Sequence, residues 1–221
     1  MRKIIFFIAI LCLSGKVLAQ FNYGAKAGVN ISNFGITDNS PYVGFNAGVY
    51  AEYFLPSSFG LSAGVDFSQK GSSFIPSRTK DSNEPSAMQT RLNYLDIPIT
   101  VLYKINLDSD IHLLLKAGGY YALGISGKST LFDNDIQLSN NDPFGGFELE
   151  LEDGRKWQFK TFDSSDYGCV LGVGVAYKHV RMGIDYKLGL KNITDGISIV
   201  NGNTPRNRVW GISVGYTFKT L

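Results

Sequence analysis

From Phe21 onward, apolar and polar residues alternate with a period of two over long stretches of the chain. In the first stretch, the positions from Tyr23 to Ile31 alternate between apolar side chains and glycine or polar side chains. This period is typical of strands whose two faces meet different surroundings, and no helical period fits it. The pattern predicts eight strands, at residues 23–31, 43–53, 59–69, 95–105, 111–123, 169–177, 180–190 and 210–218.

The length of these strands and the character of their polar faces indicate a membrane barrel. Strands of soluble domains usually have about five or six residues, whereas a tilted membrane-spanning strand needs about 9–11. The polar faces are rich in glycine and carry few charges, which suits a narrow lumen better than a solvated outer surface. The sequence therefore predicts an all-β fold, an eight-stranded antiparallel transmembrane up-and-down β-barrel of the bacterial outer membrane with long external loops.

Charged residues on the polar faces are predicted to form an ion-paired network in the lumen. Both signs are present, and charges enclosed in a barrel need partners. The predicted network consists of Lys26, Glu52, Asp66, Asp96, Lys104, Lys116, Arg181, Asp185 and Lys187. With Tyr50 and Tyr120, these side chains would fill the lumen, which argues against conduction. Pro98 cannot donate to a sheet ladder, so we expect a bulge at that position.

The connections predict how the barrel is oriented. Short turns at 55–58, 106–110 and 178–179 alternate with longer connections at 33–41, 71–91, 126–166 and 191–208. Outer-membrane barrels have short periplasmic turns and longer external loops. Aromatic residues, which favour the membrane boundary, lie on the apolar faces near the short turns, at Tyr53, Tyr103, Tyr177 and Tyr216. Both chain ends are therefore expected in the periplasm.

The loop 126–166 contains a predicted β-hairpin. Residues 152–154, Glu-Asp-Gly, suit a three-residue hairpin loop with glycine in the left-handed conformation. Two apolar pairs would then face each other, Leu149 with Trp157 and Phe147 with Phe159. We expect a β-tongue that extends strands five and six beyond the membrane. Its apolar face is either a lid on neighbouring loops or a docking surface for a partner.

Residues 1–19 have the order of a cleaved signal peptide. Arg2 and Lys3 precede an apolar stretch at 4–13, and small residues lead to a cleavage site between Ala19 and Gln20. Ten apolar residues are too few to span a membrane as a helix, which takes about 20. The remaining residues, 20–221, are expected to form one barrel domain.

Composition excludes several classes of function. The chain has 21 basic and 19 acidic residues, and loss of the signal peptide with its three basic residues leaves a nearly neutral mature protein. Without a basic stripe, nucleic-acid binding is not expected. Cys12 lies in the signal peptide, so Cys169 is the one mature cysteine. A single cysteine forms neither an intrachain disulfide nor a cysteine-based zinc site.

Candidate catalytic residues are placed unfavourably. His112 and His179 fall at the predicted periplasmic ends, away from the external rim. The Asp/Asn clusters at 133–135 and 140–142 lack the glycine and glutamate that complete a calcium loop. We expect no metal, no cofactor and no catalysis. The leading hypothesis is a structural or partner-binding barrel, followed by a narrow channel or transporter and, third, an outer-membrane enzyme.

Four segments carry a family resemblance: Gly-Ala-Lys-Ala-Gly-Val-Asn at 24–30, Tyr-Leu-Asp-Ile-Pro at 94–98, Tyr-Lys-Leu-Gly-Leu-Lys-Asn-Ile at 186–193 and Gly-Tyr-Thr-Phe at 215–218. With them, the mature chain resembles the PorT-like outer-membrane β-barrel family of Bacteroidota over essentially its whole length. The segment 94–98 is the most specific. The member that names the family is a component of a protein-secretion system, a role that does not transfer by fold. The expected partners are the lipid bilayer and, besides it, another envelope or secretion protein. Residues 219–221 depart from the terminal aromatic of many such barrels.

Overall fold

Eight antiparallel strands form a closed barrel in the computed structural model, which describes residues 21–35, 39–74, 87–133, 136–140, 143–145, 147–150, 156–159, 162–194 and 204–218. The described strands are β1 (Phe21–Asn33), β2 (Asn39–Phe54), β3 (Phe59–Phe74), β4 (Ala87–Asn106), β5 (Ile111–Asp133), β6 (Ile136–Asn140), β7 (Phe147–Glu150), β8 (Lys156–Phe159), β9 (Ser165–Tyr177), β10 (Val180–Gly189) and β11 (Arg208–Phe218). The barrel consists of β1 to β5 and β9 to β11. The predicted signal peptide and its cleavage site at Ala19 and Gln20 lie outside the described residues.

The barrel order confirms the predicted up-and-down arrangement of eight strands. Strands β1 to β5 pair in sequence, β5 continues to β9, β10 and β11, and β11 returns to β1. The closing seam runs antiparallel from the pair Tyr23–Phe218 to the pair Asn33–Arg208. The four connections between β1–β2, β3–β4, β5–β9 and β10–β11 share one end of the barrel, the long-loop end. The other is the short-turn end.

Strands near the long-loop end are longer than predicted. β3 continues to Phe74, β4 begins at Ala87 and β5 continues to Asp133, so parts of the predicted loops 71–91 and 126–166 are strand. For β5, a β-bulge explains why the sequence did not predict the extension. Tyr94 pairs with Gly124 and Asn93 with Ser126, which leaves Ile125 unpaired between them. Beyond the extra residue, the positions that face inward and outward exchange places. A strict period of two therefore does not detect the extension of β5.

The predicted hairpin is present but does not continue the barrel. β7 and β8 pair Phe147 with Phe159 and Leu149 with Trp157, in the predicted register. They form a separate two-stranded sheet, whereas the end of β5 pairs with β6. The expectation that the hairpin extends strands five and six was therefore wrong. Its loop at 152–154 and the side chains of the hairpin lie outside what the structure describes.

The predicted bulge at Pro98 was also wrong. Pairing between β3 and β4 passes from Ala63–Ile99 to Asp66–Asp96 at a constant register, so no residue is inserted. On the other side, Pro98 is the partner of Tyr120 on β5. Next to Pro98, the pairing of β4 with β3 has a gap. Losing this pairing costs less than shifting the register of the whole β4 strand.

The outer face of the barrel is apolar and the inner face is polar. Outward-facing Val49, Leu171 and Met182 are each about 60% exposed, while Asp66 and Asp96 are buried inside. Aromatic rings gather at the short-turn end, where Phe59 lies 4.9 Å from Tyr103 between ring centroids. Apolar side chains that face outward need lipid around them. Among the described residues, no helix is long and apolar enough to cross a membrane.

Candidate functional site

An apolar layer closes the lumen at the short-turn end. Phe54, Leu102, Leu114 and Ala176 pack together as a buried cluster. They occupy inward positions on β2, β4, β5 and β9, close to the turns that end these strands. Lys104 lies beside this layer, with its Nζ 5.0 Å from the centroid of the Phe54 ring.

The middle of the lumen is crossed by ion pairs. Arg181 donates to both carboxylate oxygens of Glu52, with Nη2 2.9 Å from Oε2. Lys116 Nζ lies 2.6 Å from Asp185 Oδ1, and Lys26 Nζ lies 2.8 Å from Asp66 Oδ2. These pairs line a cavity of about 70 Å³. Each pair joins strands that are not neighbours in the barrel, so the pairs connect parts of the wall through its interior.

A chain of charges continues from the middle toward the long-loop end. Lys187 Nζ lies 3.9 Å from Asp66 and 2.7 Å from Asp96. Lys70 Nζ lies 2.9 Å from the other oxygen of Asp96 and 3.7 Å from Asp166. Lys70, Asp96 and Asp166 have no solvent exposure. Acids and bases therefore alternate in the order Lys26, Asp66, Lys187, Asp96, Lys70 and Asp166.

Aromatic and amide groups complete the surroundings of the buried Lys70 ammonium. Its Nζ lies 4.6 Å from the ring centroid of Tyr94 and 4.8 Å from that of Tyr120. The Tyr120 hydroxyl and the Asn207 amide each donate to Asp166 at 2.9 Å. Ring faces attract a cation and the hydrogen bonds stabilise its carboxylate partner, so protein groups compensate the charge.

Four side chains from three connections, β1–β2, β5–β9 and β10–β11, cover the long-loop end. We call Phe34, Phe144, Phe162 and Ile193 the loop cap; they are buried against inward residues of the barrel wall. The Phe144 ring lies 5.5 Å from that of Tyr94, and Phe34 lies 5.7 Å from Phe162. Two backbone hydrogen bonds link different connections, Asp163 to Ile193 (2.8 Å) and Arg206 to Phe34 (2.9 Å). Two more lie within single connections, Phe162 to Pro143 (3.0 Å) and Ile193 to Pro205 (3.1 Å).

One half-buried ion pair lies beside the loop cap. Lys191 Nζ lies 2.7 Å from Asp163 Oδ2, and the Ser165 backbone N–H donates to Asp163 Oδ1 at 3.2 Å. Partial burial works against the charged carboxyl, but the hydrogen bonds from Lys191 and Ser165 outweigh it and lower the pKa of Asp163. Asp163 precedes β9 and lies outside the membrane-spanning strands.

Eight of the nine predicted lumen charges form ion pairs with one another or with Lys70. Lys104 is the exception, since in the described part of the chain its contact is with the Phe54 ring. Sequence reasoning missed Lys70 and Asp166 because both lie one or more residues beyond the predicted strand ends. The alternation did place them inside: Lys70 follows Asp66 and Ser68 on the inward face of β3, and Asp166 precedes Gly168 on β9.

The candidate catalytic and partner-binding residues are not joined into one site. His179 Nδ1 lies 3.0 Å from the Thr217 carbonyl oxygen at the short-turn end, as predicted, and stacks on Tyr216. No group of three or more potential metal ligands is found among the described residues. The side chains of Phe147, Leu149, Trp157 and Phe159 are outside the described set, so their role as lid or docking surface stays a prediction.

One family model supports this architecture. The family model "Outer membrane protein beta-barrel domain" matches residues 16–195. No curated protein matches the sequence. Similar solved structures include Ail, the attachment invasion locus protein of Yersinia pestis (13% identity, 90% of this chain and 99% of that chain, TM-score 0.44), and Neisserial surface protein A (12%, 90% and 96%, 0.44). The outer membrane enzyme PagL is also similar (11%, 90% and 98%, 0.36). The chain thus belongs to the outer membrane protein beta-barrel domain family, and its location is the bacterial outer membrane.

Proposed function

We propose that this protein is a non-conducting, non-catalytic barrel with a structural or partner-binding role, which it performs through its external loops. The observation that carries the proposal is the filled lumen. Apolar side chains occupy both ends of the lumen: the cluster around Phe54 at the short-turn end and the loop cap at the long-loop end. Ion pairs cross the space between them.

The size of the enclosed space supports a closed barrel. A cavity of about 70 Å³ has room for only a few water molecules, since one water needs roughly 10–15 Å³ of such space. A hydrated ion would have to separate pairs such as Lys187–Asp96 and displace the apolar side chains at both ends. Leaving one buried partner uncompensated costs about 3–5 kcal/mol, which disfavours an open state.

Planar-bilayer recording tests the closed lumen. The full mature chain is reconstituted, and its folding is checked by comparing gel mobility with and without boiling. We expect no stable unitary conductance from folded protein. A defined, reproducible conductance that disappears when the sample is boiled before reconstitution would overturn the proposal in favour of a channel.

The external role is assigned to the hairpin β7–β8. Its register pairs Leu149 with Trp157 and Phe147 with Phe159, so apolar positions share one face of a sheet that is separate from the barrel. Apolar faces that are not covered by the rest of a protein mark interaction sites, which makes this hairpin the candidate docking surface. Trp157→Ala is expected to reduce crosslinking to an envelope protein in intact cells and to leave the unfolding temperature of the barrel unchanged.

A matched control is Gln158→Ala, one position away on the opposite face of β8. This variant is expected to retain the crosslink. If Trp157→Ala lowers barrel stability and removes no crosslinked product, the hairpin is a lid and the docking role is wrong.

We further propose that the chain is a PorT-like member of its family. In support, two of the segments that carry the resemblance meet in the lumen: Asp96, from 94–98, pairs with Lys187, from 186–193, at 2.7 Å. Tyr94 from the same segment packs under the loop cap. A role as a secretion-system component is the alternative that this proposal raises, and it is tested by comparing secreted proteins with and without the chain. Unchanged secretion would contradict it.

A further inference from the structure

On the outward face of β4 and β5, side-chain character changes in order from the short-turn end to the long-loop end. The pairs Val101–Ala117, Ile97–Tyr121 and Leu95–Leu123 are apolar. Above them, Asn93 donates a hydrogen bond to the Ser126 hydroxyl at 2.8 Å. The next pair is Arg91–Lys128. The surface thus passes from apolar to neutral polar to cationic within a few residues.

Both cations at the top of this surface face away from the lumen. Arg91 lies between the buried residues Thr90 and Leu92, and is itself exposed. Lys128 has an inward-facing neighbour, Ser129, whose hydroxyl lies 3.2 Å from that of Thr90 inside the barrel. Since successive residues of a strand face opposite sides, Arg91 and Lys128 both project outward from directly paired positions.

No acidic side chain compensates this pair within the described ranges of the chain. The ion pairs found there use other bases, and neither Arg91 nor Lys128 takes part in one. Like charges directly opposite each other on neighbouring strands are destabilising. An anion placed between the two side chains would convert this repulsion into attraction.

The height of the pair matches that of lipid phosphates. Tyr103, on the same face of β4, marks the aromatic boundary at the short-turn end. With a rise of about 3.4 Å per residue and a strand tilt near 40°, Arg91 lies about 30 Å above Tyr103 along the barrel axis. The apolar band of an outer-membrane barrel is about 25 Å tall. The pair therefore stands a few ångströms above the hydrocarbon, on the external side.

We propose that Arg91 and Lys128 bind a phosphate group of a phosphorylated lipid in the external leaflet. The Arg91 guanidinium offers paired N–H donors that match phosphate oxygens, and the Lys128 ammonium adds a second positive charge. Asn93 and Ser126 lie where the polar linkage below the phosphate would run. Leu95, Leu123 and the apolar positions below them would contact the acyl chains.

Lipid retention tests the site with the folded, full mature chain. Wild type and the double variant Arg91→Gln/Lys128→Gln are reconstituted with phosphatidylcholine plus bisphosphorylated lipid A, and retained lipid is counted by native mass spectrometry after detergent extraction. Loss of two cations near an anionic headgroup is expected to weaken retention roughly thirtyfold. Lys178→Gln, a cation at the short-turn end, is the matched control and should retain lipid like wild type.

Three further measurements keep the result specific. In phosphatidylcholine alone, the double variant should unfold at the same or a higher temperature than wild type, because a like-charge pair has been removed. Lipid A without phosphates should not be retained, and inorganic phosphate should not stabilise the barrel. Equal retention by the double variant, retention of the dephosphorylated lipid, or stabilisation by inorganic phosphate alone would each overturn the proposed lipid site.

Discussion

Lys70 shows how a single charged residue is held inside this barrel without solvent. Its ammonium group lies between Asp96 and Asp166 and against the rings of Tyr94 and Tyr120. Removing one member of a buried ion pair costs more than the pair contributes, because the remaining charge stays buried without compensation.

Lys70→Met is therefore expected to destabilise the barrel by about 3 kcal/mol, the lower part of the usual range because Asp96 keeps Lys187. Methionine has a similar length and no charge, so the effect reports the charge. Urea unfolding in lipid vesicles measures it. The control Lys178→Met removes an exposed cation 3.8 Å from Asp110 and should cost less than about 1 kcal/mol. Equal costs for the two variants would contradict the role assigned to Lys70.

Asp163 gives a prediction for pH. Despite partial burial, hydrogen bonds from Lys191 and Ser165 lower its pKa in the folded protein. A carboxyl with a lowered folded-state pKa contributes stability that is complete above its unfolded pKa and is lost as the pH falls through the lowered value. Order in the loop cap should therefore weaken on the acidic side of about pH 4.

Amide hydrogen exchange at Ser165, whose N–H donates to Asp163, measures this dependence. In wild type, protection should fall as the carboxyl becomes protonated. Asp163→Asn should remove most of that dependence while keeping the side-chain shape. A variant with the same pH dependence as wild type would show that another group controls the loop cap.

At the scale of the strand, glycine sets how closely the first and last strands approach. A Cβ atom built on Gly28 of β1 would lie 2.0 Å from the Ile212 carbonyl oxygen and 2.7 Å from Ser213 Cα on β11. These are backbone atoms, which cannot rotate away as a flexible side chain does. The closing seam thus depends on the absence of a side chain at this position.

Gly28→Ala is expected to destabilise the barrel by about 1–3 kcal/mol, as overpacking does elsewhere. The matched control is Gly183→Ala on β10, which also lies opposite Ser213 but whose nearest atom would be 3.3 Å from the new Cβ. Gel mobility of unboiled samples across a urea series compares the two. If Gly183→Ala destabilises the barrel as much as Gly28→Ala does, the seam between β1 and β11 is not especially sensitive to an added side chain.

The strands were predictable where alternation is uninterrupted. The runs from Val180 and from Trp210 have the predicted extent to within two residues, because each of their faces meets a uniform environment. The bulge at Ile125 and the continuation of β3 to Phe74 were not predictable. Whether a bulge forms depends on how two strands pair. The hydrophobic period along one strand carries no information about that pairing.

Within the candidate site, the sequence predicted which charges face inward but not which of them pair. The pairing of Lys187 with Asp96 requires the barrel to bring β10 and β4 face to face across the lumen, a property of the closed shape. The loop cap was missed for a related reason. Phe34, Phe144, Phe162 and Ile193 stand in irregular connections, where no period separates buried from exposed positions.

At the scale of the whole molecule, the orientation in the membrane is directly testable. Cys169 faces outward from the barrel wall and is the one cysteine expected in the mature chain. In a Cys169→Ser background, Ser164→Cys on the long-loop side should react with a membrane-impermeant maleimide in intact cells. Lys178→Cys at a short turn should react only after the outer membrane is permeabilised. The opposite pattern would invert the assigned orientation.

The ion pairs of the lumen also determine how this protein can enter a bilayer. Arg181 lies 129 positions after its partner Glu52 in the sequence. Lys116 on β5 likewise pairs with Asp185 on β10, which is synthesised later. If the early hairpins crossed the hydrocarbon alone, Glu52 and Lys116 would be charged without counterions, at a cost of several kcal/mol per ion. Stepwise insertion, hairpin by hairpin, is therefore unfavourable. The strands synthesised last neutralise those made first, so transfer into lipid has to await the nearly complete chain.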